Sequence, residues 1–312
     1  LKVYKLPLGN PQAKGRPIIN LLPLSEGEQV TTMMPLPENE DNPPDLMFAT
    51  KSGNVRRNPL SDFSNIKSNG KIAMKLIDGD SLVGVVPCRE NDDILLSASL
   101  GKCMRFRSND VRLFKGRGSI GVRGIRLKQE DYVISISVLK HIEADTDIKT
   151  LYLKAAGAKR RGDAQDYIEE EQFELMNNDD QFILTISENG FGKRTSAYEY
   201  RITNRGGQGI INIETSERNG PVIASFLVED SDDVMLVTNA GRMIRSPVND
   251  IRIASRNTQG VTLFSIDKGE KVVSVTAISA VEDEQNENLD KESEEINDSD
   301  DVSIDKEDNK DE

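Results

Sequence analysis

The chain has 312 residues, of which 36% are hydrophobic and 30% charged, and its formal net charge is −13 at pH 7. It contains no apolar stretch near the roughly 18 residues that span a bilayer and no secretory signal pattern, so we expect no membrane partner. Cys88 and Cys103, the only cysteines, have no second ligand at metal-binding spacing; disulfides and metal sites are therefore not expected, and a reducing cytoplasm fits.

The first 36 residues carry part of a pattern that recurs later in the chain. Lys14 and Gly15 match the second half of each later repeat, and no counterpart of the first half precedes them. We therefore predict a partial blade over residues 1–36 and expect the chain to be a fragment of a longer polypeptide. The acidic, proline-flanked stretch at residues 35–44 predicts a loop.

A hairpin anchored on glycine occurs four times. In each copy an apolar run meets a polar turn and a glycine, and an arginine stands four residues beyond that glycine, which indicates strand, tight turn and strand. The glycines are Gly53, Gly101, Gly190 and Gly241, and the arginines are Arg57, Arg105, Arg194 and Arg245. Because this arginine shares a strand face with mostly apolar residues, we expect it to bridge adjacent units.

A second glycine follows each hairpin and sets the period of the repeat. Gly70, Gly121, Gly209 and Gly260 are separated by 51, 88 and 51 residues, and about 50 residues is the length of a propeller blade. Such a unit cannot bury both faces of its sheet alone, so neighbours must stack. The sequence predicts an all-β, propeller-like β-pinwheel of four-stranded blades, with complete blades at residues 37–88, 89–140, 181–228 and 229–281.

The long step between Gly121 and Gly209 contains an inserted acidic segment, residues 141–180. Residues 142–180 hold 11 acidic and 5 basic side chains, and their weak apolar periodicity predicts a surface excursion that is partly disordered. His141, the only histidine, stands at its edge without a nearby nucleophile. We interpret it as a surface residue rather than a general base.

The tail, residues 282–312, is predicted to be disordered, because it has 16 acidic residues, 3 basic residues and few apolar ones. Its net charge of −13 equals that of the whole chain, and without the −6 of the insertion the repeats carry about +6. The sequence pI of 4.8 is therefore a poor guide to the surface of the repeats.

Basic residues cluster around the second glycine of each unit, where a loop is predicted. Glycine allows close approach of a large partner and exposes amide groups, while arginine and lysine bind phosphate oxygens. An arc of such loops suits the bending of duplex DNA; the alternative is that the arginines bond turn carbonyls or pair with acids. The candidate DNA contacts are Lys14, Arg16, Lys67, Lys71, Lys115, Arg117, Arg123, Arg126, Arg201, Arg205 and Arg256.

Signals of catalysis are scarce. Neither a Walker phosphate-binding loop nor a dinucleotide fingerprint occurs, and the carboxylates cluster in the insertion and the tail, where solvated charge is the ordinary explanation. We expect no catalytic residue, no bound cofactor and no metal site in this chain.

Four segments resemble the C-terminal domain of bacterial DNA gyrase A, and the similarity extends from Leu1 to about Ala280 outside the insertion. They are Lys14-Gly-Arg-Pro-Ile-Ile-Asn-Leu-Leu-Pro23, Gly116-Arg-Gly-Ser-Ile-Gly-Val-Arg-Gly-Ile-Arg-Leu127, Glu217-Arg-Asn-Gly220 and Ser255-Arg-Asn-Thr-Gln-Gly-Val261. The resemblance implies a pinwheel that wraps DNA so that the enzyme introduces negative supercoils. Arg205-Gly-Gly-Gln-Gly209 occupies the loop position of the family's Gln-Arg-Arg-Gly-Gly-Lys-Gly box but lacks its Gln-Arg start and its lysine.

The resemblance also implies partners and a location. ATP and Mg²⁺ would serve the holoenzyme only, an A2B2 complex of the gyrase A core with gyrase B in the bacterial cytoplasm, on the chromosome. The family's catalytic tyrosine is not matched here, so this chain is expected to bind DNA without cutting it. The acidic tail would either fold back on the basic loops and compete with DNA, or act as a solubilising tail.

Two alternatives stay open at this stage. The C-terminal domain of topoisomerase IV shares the pinwheel and the Arg-Gly-x-x-Gly-Val-Arg-Gly pattern. A protein-interaction propeller without a nucleic-acid role would show the same repeats, and the salt dependence of DNA binding distinguishes it.

Overall fold

The computed structural model describes residues 3–9, 14–22, 24, 27–28, 30–35, 41–63, 70–163 and 167–279. The strands are β1 (Asp45–Thr50), β2 (Asn54–Pro59), β3 (Leu82–Cys88), β4 (Asp93–Ala98), β5 (Lys102–Arg107), β6 (Val122–Arg123), β7 (Val133–Leu139), β8 (Phe182–Ser187), β9 (Phe191–Ser196), β10 (Ile210–Ile211), β11 (Val222–Val228), β12 (Asp233–Thr238), β13 (Met243–Pro247), β14 (Val261–Thr262) and β15 (Val272–Ile278). The α-helices are α1 (Thr146–Arg161) and α2 (Glu170–Asp179). No helix among these residues is long and apolar enough to cross a bilayer.

The four glycine-anchored hairpins are confirmed. β1 pairs with β2, β4 with β5, β8 with β9 and β12 with β13, all antiparallel. The turn glycine has a φ between 78° and 86° in every copy, a conformation that side chains disfavour. On the other side of each hairpin a further strand, β3, β7, β11 or β15, pairs with the first strand. Each repeat thus supplies three strands to its own sheet.

The fourth strand of each complete sheet comes from the following repeat. The two-residue strands β6, β10 and β14 pair with β2, β5 and β9 of the repeat before them. The sheet orders are β3-β1-β2-β6, β7-β4-β5-β10 and β11-β8-β9-β14, and the fourth sheet, β15-β12-β13, has no such strand among the described residues. Consecutive blades are therefore joined by strand exchange, which the repeat period does not reveal.

The two glycines of each repeat are explained by this exchange. The amide of Gly124, three residues past Gly121, donates to the carbonyl of Gly53 at 2.8 Å. A Cβ on Gly121 would overlap the carbonyl oxygen of Val55, so the crossing strand needs glycine there. The equivalent bonds of the next repeats join Asn212 to Gly101 (2.8 Å) and Leu263 to Gly190 (2.9 Å). We expected the second glycine to serve a large partner; its close neighbour is the preceding sheet.

Apolar clusters fill the spaces between successive sheets. Met47, Ile94 and Phe106 belong to the cluster that joins the first sheet to the second. Smaller clusters join the second sheet to the third and the third to the fourth. The edge strands β3, β7, β11 and β15 contact one another in chain order, so the sheets stack in sequence, as the repeat predicts.

The arginine four residues past the first glycine bridges adjacent blades, as expected. Arg105 binds Asp93 of its own blade with Nε and Nη2 and donates from Nη1 to the carbonyl of Ala197 in the next blade at 2.8 Å. Arg194 Nε donates to the carbonyl of Ile251 at 2.7 Å. In the last repeat, Arg245 Nε donates to Asp233 of the neighbouring strand β12 at 2.6 Å.

The insertion is not a loose excursion, and that expectation is corrected. Its described residues form α1 and α2, which enclose an apolar cluster that includes Tyr152, Phe173 and Met176 and packs on Tyr198 of the third blade. The ring centroid of Tyr152 lies 5.4 Å from that of Phe173 and 5.2 Å from that of Tyr198. Aromatic side chains, which bury large areas, provide the core that the weak periodicity concealed.

His141 is not a surface residue. Its side chain is 13% exposed, and Nδ1 lies 3.1 Å from both carboxylate oxygens of Asp93 while Arg107 Nη2 lies 2.7 Å from Nε2. Since arginine can only donate, Nε2 accepts and Nδ1 carries the proton toward Asp93. The histidine therefore completes the environment of a buried carboxylate.

The ends of the chain add little to this architecture. The described part of residues 1–36 contains the 3-10 turns Val3–Lys5 and Ile18–Asn20 and no strand. The predicted acidic tail, residues 282–312, lies outside the described residues.

Candidate nucleic-acid interface

Three loops at the sheet edges opposite β3, β7 and β11 carry four of the candidate DNA contacts, Lys115, Arg117, Arg205 and Arg256. We call them the rim loops: residues 113–121, 202–209 and 253–260. Each starts at a parallel bridge to the hairpin of the preceding repeat and ends at the second glycine, where the exchanged strand begins. Because both ends are bonded to the preceding sheet, the rim loops follow one another in the order of the blades.

Buried cations support the first and third rim loops from beneath. Arg56, 1% exposed, donates to the carbonyls of Ser119 (2.6 Å) and Gly116. Lys193 is fully buried, and its Nζ lies 2.6 Å and 2.7 Å from the carbonyls of Ser255 and Arg256. Buried backbone carbonyls need partners, and a cation three residues past the first glycine supplies several bonds at once.

The buried amino group of Lys193 is surrounded by oxygen acceptors. Desolvation lowers its pKa to about 8. The ammonium nevertheless has the carbonyl and hydroxyl oxygens of Thr258 within 3.3 Å, in addition to its two shorter carbonyl bonds. In the second repeat the same position is Met104, whose sulfur lies 3.5 Å from the Thr203 hydroxyl. The second rim loop is therefore held without a buried charge at this position.

The arginine four residues before the second glycine reaches back to the preceding repeat in all three rim loops. In each case Nη1 donates to the carbonyl of the residue two positions past that repeat's second glycine. The pairs are Arg117 with Ile72 (2.9 Å), Arg205 with Arg123 (3.0 Å) and Arg256 with Ile211 (2.6 Å). These arginines thus bond carbonyls, as the alternative held, while each side chain stays partly exposed.

A second group of candidates faces solvent. Lys115, Arg123, Arg126 and Arg201 are exposed, and none of the hydrogen bonds or ion pairs found among the described residues uses their side chains. Lys14 and Arg16 are exposed as well. Lys71 Nζ instead donates to the carbonyl of Asp62 at 2.8 Å, and Lys67 lies outside the described residues.

The rim loops differ in their local charge. In the third loop, Glu199 accepts from the Ser255 hydroxyl at 2.9 Å and from the Arg256 amide at 3.0 Å. In the first loop, Lys115 is exposed, and no hydrogen bond or ion pair among the described residues uses its side chain. The first loop therefore presents more unpaired positive charge than the third.

Sequence reasoning missed three basic residues of this site, two of them buried. Arg56 and Lys193 stood inside predicted strands, and nothing in the sequence indicates that they point under a loop of the next repeat. Arg252 is exposed and stands eight residues before Gly260, as Arg201 stands before Gly209. Aligning the repeats on the second glycine provides that signal.

The described residues present no metal centre. No group of three or more His, Cys, Asp or Glu side chains among them could hold a metal ion. Cys88 and Cys103 are buried, and burial raises the pKa of both thiols to about 12. Neither thiol is therefore a ready nucleophile.

The family model described as "DNA gyrase C-terminal domain, beta-propeller" matches residues 1–37, 44–89, 92–140, 181–229 and 232–279. Among similar proteins, DNA gyrase A of Rickettsia bellii (strain RML369-C) is 48% identical over 300 residues, covering 92% of this chain and 33% of that protein. DNA gyrase A of Escherichia coli (strain K12) is 36% identical over 285 residues, covering 91% and 28%. The chain thus spans about a third of the length of these relatives.

Solved structures agree on the fold. The C-terminal domain of DNA topoisomerase IV superposes with a TM-score of 0.70 at 19% identity, over 89% of this chain and 75% of that one. A DNA gyrase A C-terminal domain superposes with a TM-score of 0.64 at 22% identity, over 86% and 76%. The all-β pinwheel predicted from the repeats is confirmed.

Proposed function

Since the chain belongs to the DNA gyrase C-terminal domain family, we propose that it binds duplex DNA along the rim loops and bends it around the stack of blades. The observation that carries the proposal is a group of exposed, unpaired cations in the first rim loop, just after it, and just before the second rim loop. Lys115, Arg123, Arg126 and Arg201 are its members.

The two groups of arginines have different roles in this proposal. Arg117, Arg205 and Arg256 hold each rim loop to the segment just past the second glycine of the preceding repeat, and so fix the spacing between successive phosphate contacts. The exposed group provides the contacts themselves, with Lys14 and Arg16 as further members on the partial repeat. Residues fixed to a rigid scaffold lose little entropy when they bind.

Duplex DNA suits this surface better than a small ligand does. The cations are spread over several blades rather than gathered in a pocket, and release of counterions from a run of phosphates would provide the affinity. Bending a site of 20–30 base pairs by 40–90° costs roughly 1–6 kcal/mol, which contacts on successive blades would offset.

Within a whole enzyme, we propose that the chain serves as the C-terminal part of a DNA gyrase A protein. It would support negative supercoiling driven by ATP, with Mg²⁺, in a complex with the rest of gyrase A and with gyrase B in the cytoplasm. The curated relatives that carry the gyrase A name are about three times longer than the present chain. The chemistry is accordingly proposed to reside elsewhere in such an enzyme.

The test measures the affinity of the 312-residue chain for a linear duplex as a function of salt concentration. In the rim variant Lys115, Arg123, Arg126 and Arg201 are each changed to Gln. Four lost phosphate contacts predict a slope of log K against log salt that is shallower by about 3.6. The control variant changes Lys51, Lys140, Lys268 and Lys271 to Gln, with the same change in net charge outside the rim loops.

Three outcomes of this experiment can be told apart. A shallower slope in the rim variant alone supports the rim loops as the DNA-binding surface. Equal slopes in the two variants would place the DNA elsewhere. Absence of salt-dependent binding by the unmodified chain would favour a protein-interaction propeller instead.

A further inference from the structure

The helical insertion forms a basic groove against the second and third rim loops. The groove has a volume of about 720 Å³. One wall is the first half of α1, and the other consists of residues 197–202 of the third blade and residues 255–256 of the third rim loop. Five basic side chains and one carboxylate, that of Glu199, are its charged lining. The basic residues are Arg105, Lys149, Lys154, Arg201 and Arg256.

Two of these cations are already paired. Arg105 binds Asp93 and the carbonyl of Ala197, while Arg256 donates to the carbonyl of Ile211 and lies 3.9 Å from Glu199. Their charges are therefore largely committed to holding the blades together.

The other three cations have no such partner. In the part of the chain that the structure describes, no hydrogen bond or ion pair uses the side chains of Lys149, Lys154 or Arg201. Lys149 is partly buried, and desolvation, followed by the charge of Arg105, lowers its pKa. A partly buried ammonium beside other cations is stabilised when an anion enters.

The position of α1 is fixed by contacts on its opposite side. The Tyr152 hydroxyl lies 3.1 Å from Asp180 Oδ2, whose other oxygen accepts from Ser196 of the third blade at 2.8 Å. The Tyr198 hydroxyl donates to the carbonyl of Met176 at 3.2 Å. Lys149 and Lys154 are thus held at a set distance from the blade instead of on a mobile arm.

Charge is also sorted within the insertion. The segment is acidic in sum, yet α1 carries five basic residues and one acid, while α2 carries acids and no base. The helix that borders the rim is the basic one.

We propose that the groove binds backbone phosphates of duplex DNA, so that α1 extends the DNA-binding surface outward from the second and third rim loops. This rests on the proposed function, because Arg201 and Arg256 belong to both surfaces. Lys149, Lys154 and Arg201 are the phosphate contacts of the groove. The insertion thereby lengthens the DNA segment held between these blades.

The test compares two double variants of the 312-residue chain on the same linear duplex. In the groove variant, Lys149→Gln with Lys154→Gln, two lost contacts predict a salt slope shallower by about 1.8. A hydroxyl-radical footprint should also lose protection at one boundary. The matched control is Lys140→Gln with Lys159→Gln: the same change in charge, at lysines paired with Asp179 and Glu174 on the α2 side of the insertion.

The outcomes separate this inference from the one on which it rests. If the groove variant matches the control in slope and footprint while the unmodified chain binds, the groove proposal is wrong and the rim proposal stands. If the unmodified chain shows no salt-dependent binding, the rim proposal fails first. Restoration of the footprint by Lys149→Arg with Lys154→Arg, at an unchanged melting temperature, would support phosphate contact over a structural role.

Discussion

At the scale of single residues, arginines that look alike in the sequence divide into two kinds. Arg205 stands four residues before a glycine and donates to the carbonyl of Arg123, while the side chain of Arg123 itself is exposed. Arg205 thus fixes its rim loop, whereas the side chain of Arg123 is free to bind a phosphate. The difference depends on which carbonyl lies within reach, and that carbonyl belongs to another repeat.

The anchoring arginines are predicted to contribute to stability. Changing Arg117, Arg205 and Arg256 together to Gln removes three bonds from the rim loops to the preceding repeats, at about 1 kcal/mol each, so the free energy of unfolding should fall by about 3 kcal/mol. Urea denaturation measures it. The matched variant changes the exposed Arg123, Arg126 and Arg201 to Gln and should stay within about 1 kcal/mol of the parent. Equal stability of the two variants would contradict the division.

Asp180 fastens the insertion and should make stability depend on pH. Burial raises its pKa to about 6, above the ordinary value of 3.8, so the folded chain binds the proton more tightly than the unfolded chain does. The contribution of this group is fully present below about pH 4 and is lost as the pH rises through 6. The loss amounts to roughly 3 kcal/mol.

Asp180→Asn tests this contribution, because it removes the titrating group. Its free energy of unfolding, measured by urea denaturation between pH 4 and 7, should vary less steeply than that of the parent. Asp179→Asn, at a neighbouring carboxylate that pairs with Lys140, provides the control and should keep the parental slope. If the free energy of unfolding of Asp180→Asn varies with pH as steeply as that of the parent, Asp180 is not the source of the pH dependence.

At the scale of elements, strand exchange explains why glycine recurs at two positions of the repeat. Gly53 turns the hairpin, and its carbonyl accepts the amide of Gly124 from the next repeat. Gly121 lets the exchanged strand pass close to Val55. The two recurring glycines are therefore both explained by the contact between the exchanged strand and the preceding repeat.

Gly121→Ala and Gly116→Ala together distinguish the steric cost of an added Cβ from the cost of a positive φ. Both glycines have φ near 80°, so each substitution costs about 1–2 kcal/mol for conformation alone. Nothing lies within 4 Å of a Cβ on Gly116, whereas one on Gly121 meets the Val55 carbonyl. Gly121→Ala should therefore destabilise by about 3 kcal/mol or more. Equal chemical denaturation midpoints for the two variants would argue against the close crossing.

At the scale of the whole molecule, net charge conceals the surface that matters. The chain carries −13, yet the rim loops and α1 present cations to one another across a groove. The acidic tail, outside the described residues, accounts for the sum. Binding to a polyanion depends on the local field more than on the total.

The sequence by itself determined the hairpins, the period of about 50 residues, the stacking of sheets and the family. These follow from local patterns: apolar runs, turn glycines and a repeat that must share its core with its neighbours. It also pointed to the bridging role of Arg105 and its counterparts, through their apolar strand face.

Only the tertiary structure decided the exchange of strands, the buried cations under the rim loops and the docking of α1. Lys193 and the carbonyl of Ser255 are 62 residues apart in the chain, and Tyr152 meets Tyr198 across the insertion. Such contacts form between distant segments, and a hydrogen bond leaves no periodic trace in the sequence. A basic side chain that donates to a carbonyl of the neighbouring blade stabilises the stack, whereas one without such a carbonyl is free to bind DNA.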